Sequence, residues 1–124
     1  LKLTPIFSPS VGDFIQGMIV SIPLHFSWFT EKVDTEKIQY IMEEFYSGAN
    51  FIKVLKKDEG INDKGYFRPD NLVGTNYLDI SIFGNDDNDQ LIICSRLDNL
   101  GKGASGAAIQ SMNIALGFDE TLGL

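Results

Sequence analysis

The chain has 124 residues, enough for one domain with its own core, and 44% of them are hydrophobic, the usual share for a globular protein. Ten basic against seventeen acidic residues give a net charge of −7, and no segment gathers Lys or Arg into a stripe able to neutralise phosphates, so nucleic acid is not an expected partner. The single cysteine, Cys94, excludes an internal disulfide and suits a reducing compartment, so a cytoplasmic location is expected. No apolar run is long enough to span a membrane.

The first residues, Leu1-Lys2-Leu3-Thr4-Pro5, show no charged leader followed by an apolar stretch and a cleavage site. They also lack an initiator Met, which suggests a piece of something longer. From Gly17 to Phe26, the residues Met18, Val20, Ile22, Leu24 and Phe26 recur at every second position, the period of a strand with one apolar face. Pro23 cannot donate to a ladder, so this strand is expected at an edge or with a bulge.

Asp34 stands where an N-cap belongs, and Ile38, Ile41, Met42 and Phe45 follow at helical spacing until Gly48. The other face is charged (Glu36, Lys37, Glu43, Glu44), which predicts a helix lying on a sheet with one side in water. Phe51 to Leu55 reads as a short strand, and Lys56 to Pro69, charged and containing Gly60 and Gly65, as a surface loop.

Asn76 to Phe83 and Gln90 to Leu97 are strand patterns joined by Gly84-Asn85-Asp86-Asp87-Asn88-Asp89, which predicts an antiparallel hairpin. That acidic turn lacks the spacing and the closing Glu of a calcium loop, so it reads as a solvated turn. The fold class expected from this order is α+β, a mainly antiparallel mixed sheet with helices on one face. The uncovered face, apolar by the same pattern, calls for a partner, and a second copy of the sheet is the simplest one.

After the last strand, Gly101, Gly103 and Gly106 spell G-x-G-x-x-G ahead of a helix of small residues. A dinucleotide fingerprint needs a further strand after the helix and an acidic residue about 20 positions on. Here Asp119-Glu120-Thr121-Leu122-Gly123-Leu124 follows instead, which argues against a Rossmann unit.

Other chemistry fares little better. Cys94 lies in an apolar strand away from any lysine or helix start that would lower its pKa, the setting of an inert thiol. A thiol enzyme pairing Cys94 with His25 would need the two strands to bring them together. One His and one Cys without paired ligands at short spacing offer zinc nothing, and neither a nucleophile elbow nor a P-loop is present.

A resemblance goes further. The segment Asp98-Asn99-Leu100-x-Lys102-Gly103-Ala104-Ser105-Gly106-x-Ala108-x-Gln110, with Met112-Asn113-Ile114 and Gly117-Phe118-x-Glu120-Thr121-x-Gly123-Leu124, resembles the C-terminus of the N-acetyl-gamma-glutamyl-phosphate reductase family, in the semialdehyde dehydrogenase group. Phe7-Ser8-Pro9 with Gly17 downstream, and Gly74-Thr75-Asn76-Tyr77-x-Asp79-Ile80, agree in order. The resemblance implies a sheet like that in the C-terminal domains of glyceraldehyde-3-phosphate dehydrogenase and the semialdehyde dehydrogenases. It also implies a single substrate and dimerisation domain: residues 1–100 form the sheet and helix layer, and 101–124 a helix that in the family packs on a nucleotide-binding domain. That helix's apolar face (Ala108, Met112, Ala115, Leu116) would lack its partner here, so the helix is expected to be mobile or docked on a neighbouring chain.

In the family a cysteine thiolate attacks a small-molecule acyl phosphate, releasing phosphate and forming a thioester that hydride from NADPH reduces to the aldehyde of arginine biosynthesis. The cysteine and histidine motifs that perform this are absent from the present sequence, so no catalytic residue is assigned and the chain alone is expected to be inactive and to bind no cofactor. Asn99 matches a position that lies against the nicotinamide amide in related dehydrogenases, although it would serve equally to close the turn. Gly103, Ala104, Ser105 and Gly106 would let the helix start approach a cofactor closely, as they would also permit close packing. Ser10 and Gln16 fall at substrate-side positions where the family commonly has His and Arg, and Gln16 would offer hydrogen bonds without charge. An alternative is a non-catalytic interaction module derived from the same fold.

Overall fold

The computed structural model describes Thr4 and residues 6–124; the leader reading of the first five positions therefore falls largely outside the described residues. Four strands form one sheet, β1 (Met18–Leu24), β2 (Ile52–Val54), β3 (Leu78–Asn85) and β4 (Gln90–Leu97), in the order β1-β4-β3-β2. Two helices accompany it, α1 (Thr35–Phe45) and α2 (Gly106–Leu116). The α+β class is as the sequence implies, and among the described residues no helix is long and apolar enough to cross a membrane.

The hairpin β3–β4 pairs antiparallel from Leu78↔Leu97 to Asn85↔Gln90, and β1 runs antiparallel to β4 from Met18↔Leu97 to Leu24↔Leu91. β1 is an outer strand and keeps its register through Pro23, which an edge tolerates. The β2–β3 pairing is parallel, Ile52↔Leu78 to Val54↔Ile80, which makes the sheet mixed.

α1 starts on Asp34, whose carboxylate accepts the Lys37 N–H at 2.8 Å. Its Ile38 joins Phe26, Ile82 and Leu91 in the core, with Leu24, Val33, Met42 and Ile93 packed around them. The inward stripe is narrower than the sequence suggests: Ile41 is 44% and Phe45 75% exposed, and of the four only Ile38 and Met42 join the core.

The opposite face of the sheet is not bare, contrary to expectation. The 56–69 loop folds over it, pinned by Arg96, whose Nε and Nη2 donate to Asp79 Oδ2 at 2.9 and 2.7 Å while Nη1 donates to the Gly60 carbonyl at 2.9 Å. Phe67 lies under the guanidinium at 4.5 Å and packs edge-on against Phe83. Within the sheet, the outer strand also exposes apolar side chains: Met18, Val20 and Ile22 are 36%, 43% and 49% exposed.

The acidic turn between β3 and β4 is a fastening point and not a merely solvated one. Asp86 accepts the N–H and hydroxyl of Thr35 at the start of α1, and Asp89 accepts those of Ser27 after β1. The Ser27 hydroxyl holds the Asp89 carboxyl below the usual carboxylate range.

Candidate functional site

At the end of β4 the chain turns through Asp98 and Asn99 into a wide helical turn, Gly101–Ser105, with π-type spacing, and from there into α2. Asp98 is the anchor of this corner. It is 1% exposed, and its carboxylate accepts the Gln16 amide through both oxygens (2.7 and 2.6 Å), the Gly74 N–H (2.7 Å) and the Leu100 N–H (2.8 Å). Three segments distant in sequence meet on one buried charge. The Gln16 amide, joined by the N–H groups of Gly74, Leu100 and Gly101 and opposed by burial, holds the Asp98 carboxyl down at about 2.

Asn99 stands next to this anchor, half-buried, and its side-chain oxygen accepts the Gly17 N–H at 2.8 Å. Gly17 is held in turn: its φ is +111°, a conformation that favours glycine, and a Cβ there would fall 2.4 Å from the Pro69 carbonyl oxygen. Gln16, expected at the substrate side, spends its amide nitrogen on Asp98. Ser10 is exposed in the arm ahead of β1 and takes no part in the network.

The glycines of the G-x-G-x-x-G run are explained by close packing. A Cβ on Gly106 would lie 2.2 Å from Asn76 Oδ1, and one on Gly101 2.7 Å from the Thr75 carbonyl oxygen. Gly103 donates its N–H to the Asp98 carbonyl at 2.8 Å, and the Ser105 hydroxyl donates to the Leu100 carbonyl at 2.8 Å. The helix start is thereby seated on the 74–76 segment, and Ser105 is turned back on its own backbone.

Beneath the helix, Lys102 donates to Gln110 Oε1 at 2.5 Å and lies 5.6 Å from the Phe51 ring centroid. Burial pushes its amine down, against the pull of Glu120. Asn113 donates to the Leu122 carbonyl at 2.9 Å, so the final residues fold back along α2. The helix is seated on its own domain through Gly106, Gln110 and Asn113, while Ala108, Met112, Ala115 and Leu116 are exposed.

The remaining candidates do not assemble a site. Cys94 is buried with its sulfur 3.4 Å from Ser21 Oγ, and register puts His25 four residues further along β1, about 13 Å away at strand spacing. The His25 ring is held instead by the Asp89 carbonyl at 2.9 Å. Among the described residues no group of three or more His, Cys, Asp or Glu is placed to hold a metal ion.

Sequence reasoning singled out Asn99 and overlooked Asp98 as the group that orders its surroundings. The available signal was an Asp-Asn pair leaving a strand just ahead of a glycine, where a short carboxylate can collect backbone N–H groups.

A family model described as semialdehyde dehydrogenase, dimerisation domain, matches residues 1–99. Among curated proteins, one from Nostoc sp. and one from Trichormus variabilis, both named N-acetyl-gamma-glutamyl-phosphate reductase, are 44% and 43% identical over all of this chain and 39% of their own length. One of the same name from Brucella ovis is 41% identical over 94% of this chain and 37% of its own. The chain thus spans about two fifths of the length of these relatives, in their C-terminal part. The family model covers four fifths of the sequence: the chain belongs to the semialdehyde dehydrogenase dimerisation-domain family.

Proposed function

We propose that this chain is the substrate and dimerisation domain of an NADP-dependent reductase that converts N-acetyl-glutamyl phosphate to its semialdehyde in arginine biosynthesis. The observation that carries this reading is the identity above 40% over the whole chain to relatives named for that activity. The thiolate and histidine of the reaction belong to the part of such an enzyme that precedes the region matched here. The cofactor, when bound, supplies the hydride.

This chain's own part is to bind and orient. Asn99 would face the nicotinamide carboxamide, and its setting fits that group: a half-buried side-chain amide whose oxygen is engaged by Gly17 has both of its N–H groups left to give. Gly103 and Ser105 border the same corner and would let the backbone approach the cofactor closely. Gln16 and Ser10 are the substrate-side candidates, and Gln16, its amide nitrogen on Asp98, would offer no charge to an anionic group. The apolar residues of β1 support pairing with a second copy through the sheet, and the exposed face of α2 supports contact with a nucleotide-binding domain.

The test is the polypeptide extended upstream in its genome, assayed for phosphate-dependent reduction of NADP with N-acetyl-glutamate semialdehyde. Turnover by the extended protein and none by the 124 residues alone is expected. An upstream sequence without a cysteine motif and a glycine-rich nucleotide motif would favour the non-catalytic module, and turnover by the 124 residues alone would overturn the division of labour.

A further inference from the structure

The corner at the end of β4 holds a charge without a counter-ion among the described residues. Asp98 is almost fully buried, yet none of their Lys, Arg or His side chains lies within ion-pair distance of it. A buried carboxylate of this kind persists only when hydrogen bonds replace the water it has lost. The backbone supplies them from Gly74 at 2.7 Å and Leu100 at 2.8 Å, with the Gly101 N–H beside them, and the side chain that contributes is Gln16, which bridges both oxygens. Gln16 immediately precedes Gly17, and Asp98 immediately precedes Asn99. The Gln16–Asp98 contact and the Gly17–Asn99 contact are therefore successive rungs between the same two segments, at 2.6–2.8 Å throughout.

We propose that Gln16 and Asp98 are positioning residues for Asn99: their contact sets the spacing of the two segments, so that the Asn99 oxygen stays on the Gly17 N–H and the amide NH2 is the end left to donate. This rests on the reading of Asn99 as a cofactor contact, and it adds a chemical consequence. The position favours a carbonyl-type acceptor, because a flipped carboxamide would set its own NH2 against the Gly17 N–H and so the NH2 is the end held away from it. Gln16 accordingly acts on a ligand through Asn99, by fixing which end of an amide faces out.

The experiment uses nuclear magnetic resonance of the 124-residue chain, following the Asn99 side-chain amide pair and the exchange of the Gly17 amide proton. In Gln16→Met, which keeps length and removes the donor, the Asn99 pair is expected to collapse to the shifts of a free side chain. Gly17 exchange should quicken about tenfold, the population change that losing one hydrogen bond brings, while α1 signals stay in place.

Gln16→Glu supplies the signature that a merely structural role would not give. Near pH 8 the introduced carboxylate faces that of Asp98, and the Asn99 pair should be averaged. Near pH 5 the introduced carboxyl, its proton retained by the charged neighbour, can donate to Asp98, and the wild-type pattern should return.

Wild-type signals in both variants at both values of pH would overturn the proposal, as would averaging in Gln16→Glu that acid does not reverse. None of these measurements involves a cofactor. If the positioning holds but Asn99→Ala in the upstream-extended protein leaves NADP affinity unchanged, the failure lies with the cofactor reading and not with the positioning.

Discussion

The two helices of this domain are attached by opposite means. α1 is amphipathic in the usual sense, with Ile38 and Met42 against the sheet and its charges in water. α2 buries Gly106 and Asn113, half-buries Gln110, and exposes Met112, Ile114 and Leu116 at 52%, 59% and 62%. A helix whose apolar residues point outward gains little from hydrophobic burial in its own domain, so its seat must come from close backbone approach and hydrogen bonds. The contrast is one of means: α1 is held by burial against the sheet, whereas α2 is held by close approach and hydrogen bonds with its apolar outer side chains left exposed.

The largest effect that tests this contrast is on α1. Ile38 is 7% exposed in the core with Phe26, Ile82 and Leu91, so Ile38→Ala should cost about 3 kcal/mol in urea unfolding. A loss of only a few tenths would mean that α1 is not what secures the sheet.

Acid comes next, because it acts on the seat of α2. Asp98 titrates at about 2 in the folded chain, below its ordinary unfolded value of about 3.9, so its contribution to stability is complete above roughly pH 4 and is lost as the pH falls toward 2. Asp98→Asn should be less stable at neutral pH and should flatten that part of the acid profile, as measured by urea midpoints across the range. An unchanged slope would mean that the carboxylate is equally well satisfied when unfolded.

A third change bears on the close approach itself. Gly106→Ala would raise helix propensity, yet its Cβ would meet Asn76 Oδ1 at 2.2 Å and the Gly101 carbonyl oxygen at 3.0 Å. Overpacking should win, at roughly 1–2 kcal/mol, with Lys102 loosened from Gln110. A stabilised variant would show that the turn before α2 yields easily.

How much of this was legible in the sequence depended on whether the signal was local. The cap at Asp34, the hairpin across the acidic turn and the edge position of Pro23 follow from residue types a few positions apart, and all three appear. The parallel pairing of β2 with β3 does not, because three residues give no direction and the loop between them is long. The Asp79–Arg96 pair also escaped: it forms only once hairpin register sets the two opposite each other, and it is what covers the face expected to be bare. At the corner, Asn99 was recognisable by resemblance. The roles of Gln16 and Asp98 required contacts across 82 positions of sequence.

The smallest expected effect is the most discriminating. Met112 and Leu116 lie one turn apart on the outer side of α2 and contribute nothing to the domain's core, so Met112→Gln with Leu116→Gln should leave the unfolding free energy of this chain within about 0.5 kcal/mol of wild type. The same exchange on α1, Met42→Gln, sets an amide against the Phe26, Ile38, Ile82 and Leu91 cluster and should cost about 2 kcal/mol. Equal losses would mean that the outer face of α2 is packed in solution, by the domain itself or by a second copy. The two explanations separate on dilution, since only packing between copies weakens as concentration falls. Unequal losses, with the α2 pair silent in the 124 residues and costly in the upstream-extended protein, would show that those apolar side chains belong to an interface that this domain contributes to but does not complete.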